Sequence, residues 1–180
     1  MTAIFIIHGY GGYSKENWFP WLEQELVKLG HTVIVPDFPH PSNPKLEEWL
    51  EYFSQFPLDE DTIVVGHSLG GAFILSLLEQ HKLKAAFLVA AVSGPIEHEV
   101  DAKIKTFTYK KFNWDAIKNN CKRFNILHSD NDPYIPLGQA QQLARNLDTT
   151  VALIKNGGHL NSKAGYVKFL LLLEKIKTIS

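Results

Sequence analysis

Gly66-His67-Ser68-Leu69-Gly70 sets a serine hydroxyl midway between two glycines, each two residues away. A serine hydroxyl is a poor nucleophile at neutral pH. It becomes an effective one when a histidine takes its proton and a carboxylate fixes the tautomer of that histidine. The chemistry such a group would do is acyl transfer. The G-x-S-x-G pattern carries this meaning only between a strand and a helix. Here Thr62-Ile63-Val64-Val65 precedes it as a strand, and Gly71-Ala72-Phe73-Ile74-Leu75 follows it as a helix. The turn is then so tight that side chains two residues either side of Ser68 would clash, and glycine removes them. Gly71 lets the helix approach more closely still. The helix N-terminus beneath Ser68 favours developing negative charge.

In this arrangement an acid and then a histidine follow the serine in chain order, at the carboxyl ends of strands. The histidines after Ser68 are His81, His98, His128 and His159. His81 falls at the far end of the nucleophile helix. His98 precedes any acid at a strand end, and His128 lies directly before the acids. His159, in Asn156-Gly157-Gly158-His159, alone follows an acid at a strand end, and its glycines suit a loop that presents a ring above a sheet. The acid lies in His128-Ser129-Asp130-Asn131-Asp132-Pro133, where position alone does not choose between Asp130 and Asp132. The other of the two is expected to cap the turn through backbone N–H groups. Asp101, Asp115 and Asp148 fall at the wrong places.

A tetrahedral intermediate needs two N–H donors. One is expected from Leu69, the residue after the serine. The other is expected from the loop His8-Gly9-Tyr10-Gly11-Gly12 after the first strand, with Tyr10 preferred and Gly11 as the alternative. That loop is not G-x-G-x-x-G, because position 14 is Ser, and no G-x-x-x-x-G-K-[ST] occurs. Nucleotide binding is therefore disfavoured.

The elements that must position these groups read as alternating strands and helices. Strands are expected at 3–7, 32–35, 62–65, 85–92, 124–127 and 150–154. Helices are expected at about 18–29, along the stripe Leu46, Trp49, Leu50 and Phe53, from Leu69, from Pro136, and over about 162–177. Asn17 is expected to cap the first helix, and Asn43-Pro44 to open the second. The last should bury Tyr166, Phe169, Leu170 and Leu173. Continuously apolar strands separated by amphipathic helices imply an α/β fold with a parallel sheet covered on both faces. No linker composition appears, so residues 1–180 read as one domain. The stretch from Ser93 to Lys111 is the least regular and has no assigned role.

A net charge of −1 excludes a global field for nucleic acid or anionic membranes. No apolar run is long enough to span a bilayer. The one cysteine, Cys121, has no intramolecular disulfide partner and reads as a quiet buried residue. With no leader-like N-terminus either, a cytoplasmic location is expected. The histidines show no metal-ligand spacing, and this chemistry requires no metal or cofactor. His8 and His67 are expected to be structural, and the aromatic residues to be core or pocket wall.

Together these residues resemble the α/β-hydrolase superfamily. Length and the Asp-Pro…Gly-His ending narrow the resemblance to small serine hydrolases related to the retinoblastoma-binding and YdeN-like proteins. It implies a three-layer α/β/α sandwich with strand order 2-1-3-4-5-6 and no large cap. It also implies that the acid is Asp132, before Pro133, and that Ser68 and His159 complete the set. The expected activity is hydrolysis of a small carboxylic ester, or of a related thioester or amide. Aminopeptidase-like or amino-ester cleavage, or a binding module with little turnover, are the alternatives. A small acyl compound is the expected partner, and the resemblance leaves room for a protein partner.

Overall fold

Successive strand residues point to opposite faces, and the core divides accordingly. Phe5, Ile7, Val64, Ala86 and Leu88 pack into one cluster, and Ile4, Ile6, Ile63, Val65, Phe87 and Val89 into another. The computed structural model describes residues 2–180. Its strands are β1 (Ala3–Ile7), β2 (Thr32–Ile34), β3 (Ile63–His67), β4 (Ala85–Val89), β5 (Phe124–Ser129) and β6 (Val151–Ile154). All pair in parallel, in the order β2-β1-β3-β4-β5-β6.

Helices cover both faces. The first face carries α2 (Leu46–Phe53), α3 (Leu69–Leu78), α4 (Asp101–Thr108), α5 (Trp114–Asn120) and α6 (Leu137–Asn146). The second carries α1 (Phe19–Lys28) and α7 (Leu170–Lys177). Every residue of α3 is buried, which is why that helix is apolar all round rather than striped. The register pairs Ile7 with Gly66 and His67 with Val89, so β1, β3 and β4 end level. Their following loops therefore share one edge of the sheet, because all the strands run the same way. No large cap covers that edge among the described residues.

Four local expectations change. Asn17 does not cap α1: it takes a left-handed φ of 52°, and its side-chain oxygen accepts the N–H of Ser162 at 3.0 Å. Asn43-Pro44 does not open α2. The helix begins at Leu46, whose N–H donates to the Thr106 hydroxyl at 3.1 Å, so a tertiary contact replaces the local cap. β4 stops at Val89 because Ala90 turns to φ 44°. The expected helix over 162–177 is a one-turn 3-10 helix, Ser162–Ala164, closed by Gly165 at φ 89°, followed by irregular chain and then α7. The break shifts the phase of the apolar stripe. Leu170 is consequently 66 % exposed, and Phe169, Leu172, Leu173 and Ile176 face the core.

Candidate active site

Ser68 joins β3 to α3 at φ 55° and ψ −118°. A left-handed non-glycine residue costs about 1–3 kcal/mol and persists only where its surroundings hold it. Here they do. The Ser68 N–H donates to the Val89 carbonyl, and its own carbonyl accepts the N–H groups of Gly71 and Val92, each at 3.0 Å. The flanking glycines are required by contact as well as by conformation. A Cβ on Gly66 would meet the Gly70 carbonyl oxygen at 2.6 Å, and one on Gly70 would meet the Ile7 carbonyl oxygen at 2.5 Å. A Cβ on Gly71 would collide with Ala91, just past β4.

Two loops carry the remaining groups, and four consecutive residues, Ser129 at the end of β5 and the three that follow it, bond the loop after β6. The Ser129 hydroxyl donates to the Gly158 carbonyl. The Asp130 carboxylate accepts the Asn156 N–H at 2.7 Å. The Asn131 side chain accepts the Gly158 N–H at 2.8 Å. The Nδ1–H of His159 donates to Oδ2 of Asp132 at 2.8 Å. Asp130 and Asp132 are thus separated by geometry. Asp132 meets His159, while Asp130 serves the turn and is exposed. Asn156, Gly158 and Leu160 all have positive φ, which curls this segment back over the sheet. Leu160 then anchors it: its side chain is fully buried, and its carbonyl accepts the Trp18 indole N–H at 3.0 Å.

Asp132 has no free acceptor edge. Its Oδ1 takes the N–H groups of Tyr134 and Ile135 at 2.9 and 3.1 Å. Burial pushes this carboxyl up, but the His159 hydrogen bond and charge and the two backbone N–H groups outweigh that and hold it below the usual carboxylate range. With Nδ1 engaged on Asp132, the other ring nitrogen of His159 is left for the cavity, which Ser68 and His159 both line.

The loop after β1 approaches Ser68 closely. A Cβ on Gly9 would stand 3.0 Å from the Ser68 Cβ. Within this loop Gly11 donates its N–H to the Pro41 carbonyl at 2.8 Å, and Gly12 donates to Gly9 at 3.2 Å. Among the described residues no hydrogen bond takes up the N–H of Tyr10 or of Leu69. His8, fully buried, braces this loop. It donates from Nδ1 to the Gly9 carbonyl at 2.8 Å and accepts the Phe38 N–H on Nε2 at 3.2 Å. Burial lowers its pKa, in keeping with that neutral tautomer.

His67, expected to be structural, braces the loop that carries His159. Its ring sits 4.8 Å from that of His159, and its Nε2–H donates to the His159 carbonyl at 2.9 Å. Burial and then the charge of His159 push its pKa down to about 3, so it stays neutral. Its position inside G-x-S-x-G was the only available signal of that contact. Of the other set-aside groups, Cys121 behaves as expected and the aromatic residues do so in part. Cys121 is buried, and its thiol is pushed up to about 11 by burial, far from a reactive thiolate. Trp18 and Trp49 are core, whereas Tyr109 is 65 % exposed.

The cavity has a volume of about 410 Å³. Its lining includes the aliphatic side chains of Val92, Ile96, Val100, Ile104 and Ile135 and, from two other segments, Glu16, Asn17, Asn161, Ser162 and Lys163.

A six-stranded parallel sheet in this order, with a strained serine at the end of its third strand, defines the α/β-hydrolase class. The chain belongs to the serine hydrolase family, whose sequence profile matches residues 4–176. It is similar to YdeN of Bacillus subtilis, with 31 % identity over 179 residues, covering 95 % of this chain and 92 % of that protein. It is also similar to the serine hydrolase RBBP9 of Rattus norvegicus, with 27 % identity over 165 residues and coverage of 89 % and 88 %. The crystal structure of the B. subtilis ydeN product superposes with a TM-score of 0.93 at 28 % identity, covering 99 % of this chain and 98 % of that one.

Proposed function

We propose that this protein hydrolyses a small carboxylic ester, or a related thioester or activated amide, through an acyl-enzyme on Ser68. The observation that carries the proposal is the Asp132–His159 hydrogen bond at 2.8 Å beside a strained serine in the same cavity. Ser68 Oγ attacks the carbonyl carbon while Nε2 of His159 takes its proton. The carbonyl oxygen becomes an oxyanion facing the N–H groups of Tyr10 and Leu69. That Gly11 already donates to Pro41 favours Tyr10 over Gly11 as the second donor. Collapse expels the alcohol, thiol or amine, which leaves with the proton from His159. Water then attacks the acyl-serine, gives its proton to His159, and releases the acid and free Ser68. Asp132 keeps the proton of His159 on Nδ1 and stabilises the cation formed in each half-reaction.

Glu16 supports a second reading within the same chemistry, cleavage of amino-acyl esters or amides. It lines the cavity half-buried, and burial raises its pKa against a backbone hydrogen bond at Tyr13 that lowers it, so a substrate ammonium beside it would favour its charged form. Asp130 is not suited to that role, because it holds the Asn156 N–H instead.

Stopped-flow hydrolysis of p-nitrophenyl acetate and of an amino-acyl p-nitrophenyl ester tests both. A burst of nitrophenol that matches the protein concentration and is lost in Ser68→Ala is expected. Preference for the amino-acyl ester that disappears in Glu16→Gln would favour the second reading. A folded protein with no burst and no turnover would make it a binding module instead.

A further inference from the structure

The segment between β4 and β5, the least regular part of the sequence, is latched in place by polar contacts from two side chains. Asp101 is only 9 % exposed, and both its carboxylate oxygens accept the Ile96 N–H, at 3.0 and 3.2 Å. The same carboxylate accepts the His98 N–H at 3.3 Å. From α6, Gln139 grips the other end. Its Oε1 accepts the Ser93 N–H at 2.8 Å, and its Nε2 donates to the Pro95 carbonyl at 3.0 Å. A buried carboxylate and a side-chain amide committed to one loop fix the direction of its side chains. Those side chains, Val92, Ile96, Val100 and Ile104, form the aliphatic wall of the cavity.

The aliphatic and polar linings are not equivalent for a bound ester. His159 must hand its proton to the departing atom, so the leaving group lies on its side of the cavity. The chain running on from His159 supplies Asn161, Ser162 and Lys163, and Asn17 joins them by accepting the Ser162 N–H. The acyl chain is left the wall built by the latched segment.

We infer that Val92, Ile96, Val100 and Ile104 form an acyl-chain subsite, making the substrate a short-to-medium aliphatic acyl group carried on a polar leaving group. The inference rests on the acyl-enzyme reading above. An apolar wall of this kind discriminates chain lengths by roughly tenfold or somewhat more per added or missing methylene. Half-buried Val100 is the position where added bulk fills the subsite without overpacking the core.

The test compares kcat/KM for p-nitrophenyl acetate and hexanoate in wild type, Val100→Trp and Ile104→Ala, with fluorophosphonate labelling of Ser68 run on each. Taking the hexanoate-to-acetate ratio cancels any loss common to both substrates. The wild type is expected to favour hexanoate, Val100→Trp to lower the ratio at least tenfold, and Ile104→Ala to shift the preferred length upward. Equal ratios in wild type and Val100→Trp would overturn the subsite while leaving the acyl-enzyme intact. Absence of labelling and turnover in the wild type would instead overturn the acyl-enzyme reading, and the subsite with it.

Discussion

The imidazole of His67 donates a hydrogen bond to the main-chain carbonyl of His159 at 2.9 Å. The residue before Ser68 thereby grips the residue proposed as its base, across 92 positions of sequence. One bond ties the strained turn after β3 to the loop after β6, so the two cannot drift independently.

The burial of His67 makes a prediction about pH and stability. An unfolded histidine titrates near 6.5, whereas burial and the charge of His159 hold folded His67 down to about 3. Between those values the unfolded chain binds the extra proton, so stability falls as pH drops through this window. One proton corresponds to about 1.4 kcal/mol per pH unit. His8 and His128 are also lowered and act in the same sense, but they remain in both proteins being compared. Urea unfolding of His67→Gln should lose stability less steeply than wild type between roughly pH 6 and pH 4. Parallel curves would show that His67 carries a proton in the fold.

Asp132 and Asp130 should separate in kinetics as they do in space. Asp132→Asn leaves the shape but removes the charge and the tautomer control, so kcat/KM should fall by roughly 10³–10⁴-fold. In Asp130→Asn the side-chain oxygen can still accept the Asn156 N–H, so the loss should stay within about threefold. Comparable losses in the two variants would remove the basis for assigning Asp132.

The glycines at the serine turn should tolerate no side chain. Gly70→Ala places a Cβ 2.5 Å from the Ile7 carbonyl oxygen, a rigid neighbour. Thermal or urea unfolding should show a loss of about 1–3 kcal/mol. Gly138→Ala makes the control: it lies in α6, and a Cβ there meets nothing within 4 Å. It should be neutral or stabilising by up to about 1 kcal/mol. A destabilised Gly138→Ala alongside a stable Gly70→Ala would contradict the packing described.

What sequence could and could not supply follows from the range of the interactions. The strands are continuous runs of Val, Ile, Phe and Ala, and the glycines around Ser68 answer a local steric need, so both are visible in short windows. The same holds for His159, which chain order isolates. Asp132 was reached only through resemblance, because Asp130 and Asp132 differ by which one meets His159, a contact across 27 residues. α4 was missed because Ile104 and Phe107 are too few to establish a period in eight residues, and its start depends on Asp101 turning back to Ile96. The last helix is shorter than its apolar pattern suggests because Gly165 breaks the segment at φ 89°, while the apolar residues on either side mimic one continuous stripe. Asn17 looked like a cap, yet its oxygen serves Ser162, 145 residues away.

The central claim is that Ser68 is an activated nucleophile, and intact-protein mass spectrometry after treatment with a fluorophosphonate, which phosphonylates such a serine with loss of fluoride, reads it directly. One adduct per chain is expected, mapped by peptide fragmentation to Ser68 and absent from folded Ser68→Ala. An unmodified wild type, or an adduct that persists in Ser68→Ala, would contradict the account.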